Sequence, residues 1–145
     1  MRSRLRTLRT RREDGQALVE LSLCGSFLVL VLLAVWQFGT IFSNYIDLSE
    51  AARAGARAAA ISGAPTASGD TASFTTAVSE GTYAAQQSAT VTGMNVSITS
   101  MTTWQAGARV RATVTAPYSL SLFGVSVASG TINVSDDMRV HRLPT

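Results

Sequence analysis

The sequence predicts an α+β protein anchored in a membrane, in which a long N-terminal transmembrane helix continues into a small head of one short helix and about three antiparallel strands. Three observations predict it. The run from Leu21 to Ile46 is apolar and carries no charge over 26 residues. An alanine-rich stretch without a helix breaker follows it. Beyond residue 94, three short runs alternate apolar and polar residues, which is the period of a half-buried strand. A chain of 145 residues has room for one small domain beside the span, since domains commonly take about 100 to 150 residues. Composition divides it into a basic leader (1–15), the spanning and extended helix (16–62), a Ser/Thr-rich linker with a possible helix (63–94) and a strand-rich head (95–145).

The leader comes first. All 12 basic residues are arginine, and Arg2, Arg4, Arg6, Arg9, Arg11 and Arg12 crowd into the first twelve positions. Residues 16–145 hold six arginines against seven acids, a net charge of −1. Without the leader nothing basic would attract a polyanion, so no nucleic-acid partner is expected. Arginines that flank a span act instead as a topology signal and stay in the cytoplasm. The head is therefore expected outside it, with the chain crossing the inner membrane once.

The apolar run is long enough to cross, since a transmembrane helix needs about 20 residues at about 1.5 Å each to cover a hydrocarbon core of about 30 Å. Trp36, Phe38, Phe42 and Tyr45 gather toward its far end, where amphipathic rings favour the membrane–water interface. A cleaved secretory signal would have an apolar core of about 7 to 15 residues and an early small-residue site. Here the small-residue stretch begins only at Ala51. Arg11-Arg12 resembles a twin-arginine signal, but Glu13 and Asp14 stand where apolar residues belong. An uncleaved signal anchor fits the composition and leaves Gly15 and Glu20 without a role.

The helical pattern continues to Ser62-Gly63-Ala64-Pro65, and a helix from Gln16 to Ile61 would be about 70 Å long. Seven of residues 51–60 are alanine, the strongest helix former. Glu50 precedes Arg53 by three positions, close enough to pair. Ala51, Gly55 and Ala59 recur every four residues, making a small-residue ridge along which another helix can approach.

In the head, Phe74, Val78 and residues 83–87 suggest one helix, weakened by Gly81. The strands are read at Asn95–Thr99, Arg109–Ala116 and Thr131–Val140. Leu120, Leu122, Phe123, Val125 and Val127 fall between the last two, after Pro117 and before Gly130, and are expected to pack on the core, with an exposed contact for another subunit as the alternative. Trp104 is expected to be a packing residue.

The residues offer little catalytic chemistry. Cys24 is the one cysteine and His141 the one histidine; neither a thiolate metal site nor a histidine-based triad can be built from them. Asp136-Asp137 is an adjacent pair whose carboxylates would point to opposite faces of a strand, and a solvated turn is its expected setting. No phosphate-binding glycine loop or activated nucleophile is present. The sequence thus predicts a non-enzyme with no cofactor, no metal and no small-molecule substrate.

A basic leader ending in Gly15, then Gln16-Ala17-Leu18-Val19-Glu20 opening an apolar helix, resembles the processing site of type IV pilins and pseudopilins. Phe38-Gly39, Ala51-Ala52-Arg53 and Gly55-Ala56-Arg57 make the likeness more particular. Over residues 13–61 the chain resembles the TadE-like minor pilins of tight-adherence (Flp) pilus systems. Leu21 departs from the tyrosine typical of the major Flp pilins, and the chain is longer than those subunits.

The resemblance implies cleavage between Gly15 and Gln16 by a prepilin peptidase. It implies a subunit-registering role for Glu20, whose carboxylate would pair with the new α-amino group of Gln16, about 6 Å of helix rise away. It implies other pilins or pseudopilins, the pilus assembly platform and membrane lipid as partners. Some pairing is needed on physical grounds, because an aspartate or basic residue at the centre of a span costs about 2.5 to 3.5 kcal/mol, less near an interface. Two other readings stay open: Glu20 reaching the headgroups of an unprocessed anchor that displays a binding module in residues 90–145, and a secreted enzyme.

Overall fold

The computed structural model describes residues 3–62, 65, 67–122 and 124–140, with the side chains of residues 3–14 and 122 excepted. The leader arginine side chains, Gly63-Ala64, Phe123, His141 and Arg142 lie outside the described residues. The element order is α1 (Ser3–Ser62), α2 (Thr71–Ser88), β1 (Asn95–Ser100), β2 (Arg109–Leu122) and β3 (Val125–Arg139). The chain divides into two compact units, Met1–Gly39 and Thr40–Thr145.

The first unit is helix. Among its described apolar side chains, Leu18, Val19, Leu21, Leu23, Phe27 and Leu28 are all exposed. From Gly15, α1 is the one helix among the described residues that is long and apolar enough to cross a membrane. Two hydroxyls in the run are satisfied within the helix: Ser22 Oγ donates to the Leu18 carbonyl at 2.9 Å and Ser26 Oγ to that of Ser22 at 2.8 Å. Such back-bonding removes the need for water at those groups.

The second unit is the head, an antiparallel sheet of order β1-β2-β3 covered by helices. Alternation sets its buried face: Val110, Ala112, Val114 and Ala116 of β2 are buried, joined by Ile98 of β1. From β3, Ile132, Val134 and Met138 pack against the same core. The covering helices present small residues to it. Ala51, Ala52, Ala56, Ala59 and Ala60 of α1 are buried, as are Ala77 and Ala85 of α2. The largest fully buried side chains are only Leu48, Val110 and Val114. A core so poor in large side chains gains its contacts through close approach of backbones.

That approach is closest where α1 crosses α2. A Cβ placed on Gly81 would lie 2.8 Å from the Gly55 carbonyl oxygen and 2.9 Å from Ala59 Cβ. A Cβ on Gly55 would lie 3.0 Å from the Gly81 carbonyl oxygen and 3.1 Å from Ala85 Cβ. Gly81 sits inside α2 rather than ending it, because the crossing needs a residue without a side chain there. The segment read from composition as a linker thus contributes a core helix.

The start of α2 is fixed by polar contacts. Asp70 is the N-cap, its Oδ1 accepting from the Ser73 amide at 3.2 Å. Trp104, buried, donates from Nε1 to Ser73 Oγ at 3.0 Å and meets the Phe74 ring edge-on at a centroid distance of 5.0 Å. The Gly69 amide donates to the Trp104 carbonyl at 2.8 Å. Replacing Asp70 by alanine is expected to destabilise the head by about 1 kcal/mol, the usual worth of an N-cap. Denaturant titration of the two proteins checks it.

Three sequence-based expectations are corrected here. Leu120, Val125 and Val127 are not in a connection packed on the core. β2 runs on to Leu122 and β3 begins at Val125, paired Leu122 with Val125, so these residues form a two-stranded arm closed at Gly124, whose φ is +80°. β1 pairs β2 only as far as Thr115. Beyond that point no third strand pairs with the ribbon; Ala116 is still buried beneath the helices, and farther out Val125 and Val127 are exposed. Pro117 fits within β2 because the strand is already an edge there.

Asp136-Asp137 is likewise in β3 and not in a turn. The two carboxylates do take opposite faces, and Asp137 pairs across the ladder with Arg111: Nε donates to Oδ1 at 2.6 Å and Nη2 to Oδ2 at 2.9 Å. Glu50 and Arg53, third, form no ion pair; among the described residues Arg111–Asp137 is the salt bridge seen.

The hydrogen bond from Arg111 holds the Asp137 carboxyl below its ordinary value, helped by the charges of Arg111 and Arg109 and opposed by partial desolvation. A lowered folded-state value means that the pair stabilises the head above the ordinary aspartate pKa of about 3.9 and that this contribution disappears as pH falls through the lower folded value. The stability difference between wild type and Asp137→Asn should therefore be present at neutral pH and close in acid. Denaturant midpoints measured along a pH series read it directly. The pair is exposed, so the difference is small.

Candidate processing and assembly site

Gly15, Gln16 and Glu20 all lie on α1 and are exposed. A Cβ added at Gly15 would meet nothing within 4 Å. The fold therefore makes no steric demand for glycine at this position, while glycine in a helix interior is about 1 kcal/mol less favourable than alanine. Gly55 and Gly81 differ in that the helix crossing requires them.

Glu20 follows one turn later among exposed Leu18, Val19, Leu21 and Leu23. Among the described residues its carboxylate has no ion pair. Ser22 and Cys24, both nearby and exposed, soften this apolar surface, with Gln16 and Ser26 a turn away on either side. The Ser22 hydroxyl is already committed to Leu18. A carboxylate in hydrocarbon without a local partner needs an external one. Trp36, Phe38, Phe42 and Tyr45 are exposed farther along the helix.

Ala51, Gly55 and Ala59 are buried in the second unit. Gly55 and Ala59 face Gly81 of α2, and Ala51 joins Leu48, Ala85 and Val114 in one cluster. The ridge is thus covered by the chain's own second helix. The matching ridge on α2, Ala77, Gly81 and Ala85 at four-residue spacing, was legible in the sequence but hidden by reading Gly81 as a weak point. Among the described residues no group of three or more His, Cys, Asp or Glu is placed to hold a metal ion.

These features define the class: a chain with one N-terminal helix fit to cross a membrane, continuing into a small α+β head. Comparison with protein families then places its N-terminal part. Residues 15–57 match the family described as TadE-like protein, beginning at Gly15 and ending at Arg57 of the second arginine motif. Comparison with curated proteins and with solved structures gave no match.

Proposed function

We propose that the chain is a minor pilin, or pseudopilin, of a tight-adherence (Flp) pilus. A prepilin peptidase cuts between Gly15 and Gln16, so the chain is a substrate of an enzyme rather than an enzyme. The processed protein then joins other pilins at the assembly platform in the inner membrane and contributes to a filament used for surface adhesion. Its N-terminus starts in the cytoplasm and its head stands outside.

The observation that carries this reading is the TadE-like match, which opens on Gly15 and takes in Glu20. The geometry gives it a mechanism. Before cleavage, the leader arginines resist transfer into the bilayer and hold the helix at the cytoplasmic face. Cleavage removes them and leaves an ammonium at Gln16. That ammonium and the Glu20 carboxylate of the same or a neighbouring subunit can neutralise one another in a low-dielectric setting, where either alone would be unfavourable. Removal of the leader thus frees the helix to move outward and supplies the partner that Glu20 lacks.

Gly15→Val tests this. The variant should insert in the membrane at full length and be absent from pili sheared from the cell surface. Its appearance in sheared pili at the wild-type level would overturn the reading, and absence of the wild type itself from sheared pili would favour the rival, an unprocessed anchor that displays a binding module.

A further inference from the structure

The order of packing in the head sets the direction in which the β2–β3 arm points. Leu48, Ala51 and Ala52 of α1 share a cluster with Val114 and Ala116 of β2, whereas Ala56, Ala59 and Ala60 share one with Val110 and Ala112. α1 and β2 therefore run in opposite senses across the core. Beyond Ala116, β2 travels back along α1 past Leu48, toward the uncharged run that ends at Ile46. Residues 40–46 of that run belong to the same compact unit as the arm. Leu122 lies six strand residues beyond Ala116, about 20 Å at about 3.3 Å each. Ile46 is only two helical residues from Leu48, about 3 Å. The arm thus reaches past the level at which the uncharged run of α1 ends. Its base is held in register by Tyr118, whose ring lies over the cross-strand Gly130, where an added Cβ would come within 2.8 Å of ring atoms.

Charge is distributed to match. Arg109, Arg111, Asp136, Asp137 and Arg139 all sit at the opposite end of the ladder, where Arg109 is opposite Arg139 and Arg111 opposite Asp137. No Asp, Glu, Lys, Arg or His occurs between Arg111 and Asp136, so the whole arm is uncharged. The turn ahead of β1, whose Gly93 lies against Pro117, is uncharged as well, since no such residue occurs between Glu80 and Arg109. The tip reads Leu120-Ser121-Leu122-Phe123-Gly124-Val125-Ser126-Val127, and Val125 and Val127 are 67% and 61% exposed. Apolar side chains held at an exposed tip are unfavourable in water and gain free energy at a lipid surface. The backbone limits their depth. Beyond Thr115 neither edge of the ribbon has a neighbouring strand, and hydrocarbon does not satisfy the free amides and carbonyls of such edges. The headgroup layer, wet on one side and apolar on the other, meets both demands.

We propose that the β2–β3 arm is a second membrane contact: its tip places Val125 and Val127 in the interfacial layer of the bilayer that α1 crosses and holds the head against the membrane surface. With no charge in the arm, the contact is indifferent to headgroup charge. The proposal rests on α1 lying in a membrane and not on processing at Gly15, so the two fail separately.

The test uses the full chain in phosphatidylcholine nanodiscs, with Cys24→Ser so that one cysteine at a time takes a polarity-sensitive fluorophore. The label goes on Val125→Cys or, as reference, on Thr103→Cys, which is exposed beside Trp104 at the other end of the head. The label at 125 should emit at shorter wavelength, be quenched by lipids that carry a spin label near the headgroup, and be quenched by aqueous iodide roughly twofold less or weaker still than the label at 103. Replacing half of the lipid by phosphatidylglycerol should leave these readings unchanged. Adding Val127→Asp should return the label at 125 to the iodide quenching seen at 103, with unchanged melting of the head showing that the effect is not unfolding. The readings at 125 and 103 decide the matter without that variant. Equal iodide quenching at the two positions would overturn the proposal. Protection from iodide without quenching by the labelled lipid would overturn it too, and would assign the tip to a second copy of the chain.

Discussion

Gly81→Leu is expected to unfold the head under conditions in which the wild type is folded. The first atom of any side chain at this position falls 2.8 Å from the Gly55 carbonyl oxygen and 2.9 Å from Ala59 Cβ. One obstacle is backbone and the other is fixed to it, so neither can rotate away. Only separation of α1 from α2 relieves the clash, and separation exposes the alanine faces that form much of the core. Overpacking typically costs about 1 to 3 kcal/mol, and a four-carbon side chain against backbone belongs at or above the upper end. The gain in helix propensity on replacing glycine is about 1 kcal/mol and does not offset it. At about 4 to 8 °C per kcal/mol for a small domain, the melting temperature should fall by about 10 °C or more. Gly39→Ala is the control, since an added Cβ there meets nothing within 4 Å; its melting temperature should match or exceed the wild type's. A wild-type melt for Gly81→Leu would mean that the helices do not cross as described.

The second large effect concerns assembly rather than stability. Glu20→Ala should leave insertion and cleavage intact, because neither the leader nor Gly15 is touched, yet reduce recovery of the protein in sheared pili by roughly tenfold or more. The magnitude follows from removing one member of a low-dielectric ion pair and leaving the Gln16 ammonium uncompensated. Glu20→Asp keeps the charge on a shorter stem and should restore part of the loss. If Glu20 only reaches the headgroups, alanine removes a liability and recovery stays at the wild-type level.

Much of the architecture was legible because it rests on simple periods. The uncharged run from Leu21 to Ile46 and the alanines after it could only be read as helix, and α1 ends at Ser62 as the Ser62–Pro65 breaker predicts. Val110, Ala112, Val114 and Ala116 alternate without interruption, and all four are buried. The arm was not legible because its signals conflict. Pro117 and Gly130 each read as breaks in a strand, yet they pair with Thr131 and Tyr118 in one continuous ladder. Proline is tolerated where the neighbouring strand has ended, and glycine is required where an aromatic ring crosses it; both conditions depend on a partner strand that local sequence does not specify. Asp137 was misread for a related reason, since its setting depends on Arg111, which is 26 positions away in sequence.

At the candidate site the position is reversed. Gly15, Gln16 and Glu20 were found from sequence, and the fold adds that nothing in the described chain explains either the glycine or the acid. Under the proposed function their explanation lies in partners.

The central claim is that the chain is processed at Gly15. The most direct test is the N-terminal sequence and intact mass of the protein recovered from membranes of cells that carry its own pilus machinery. The account predicts a chain that begins at Gln16, lighter by the whole leader. A chain that begins at Met1, or at any residue that retains the leader arginines, would contradict it and leave an unprocessed membrane anchor in its place.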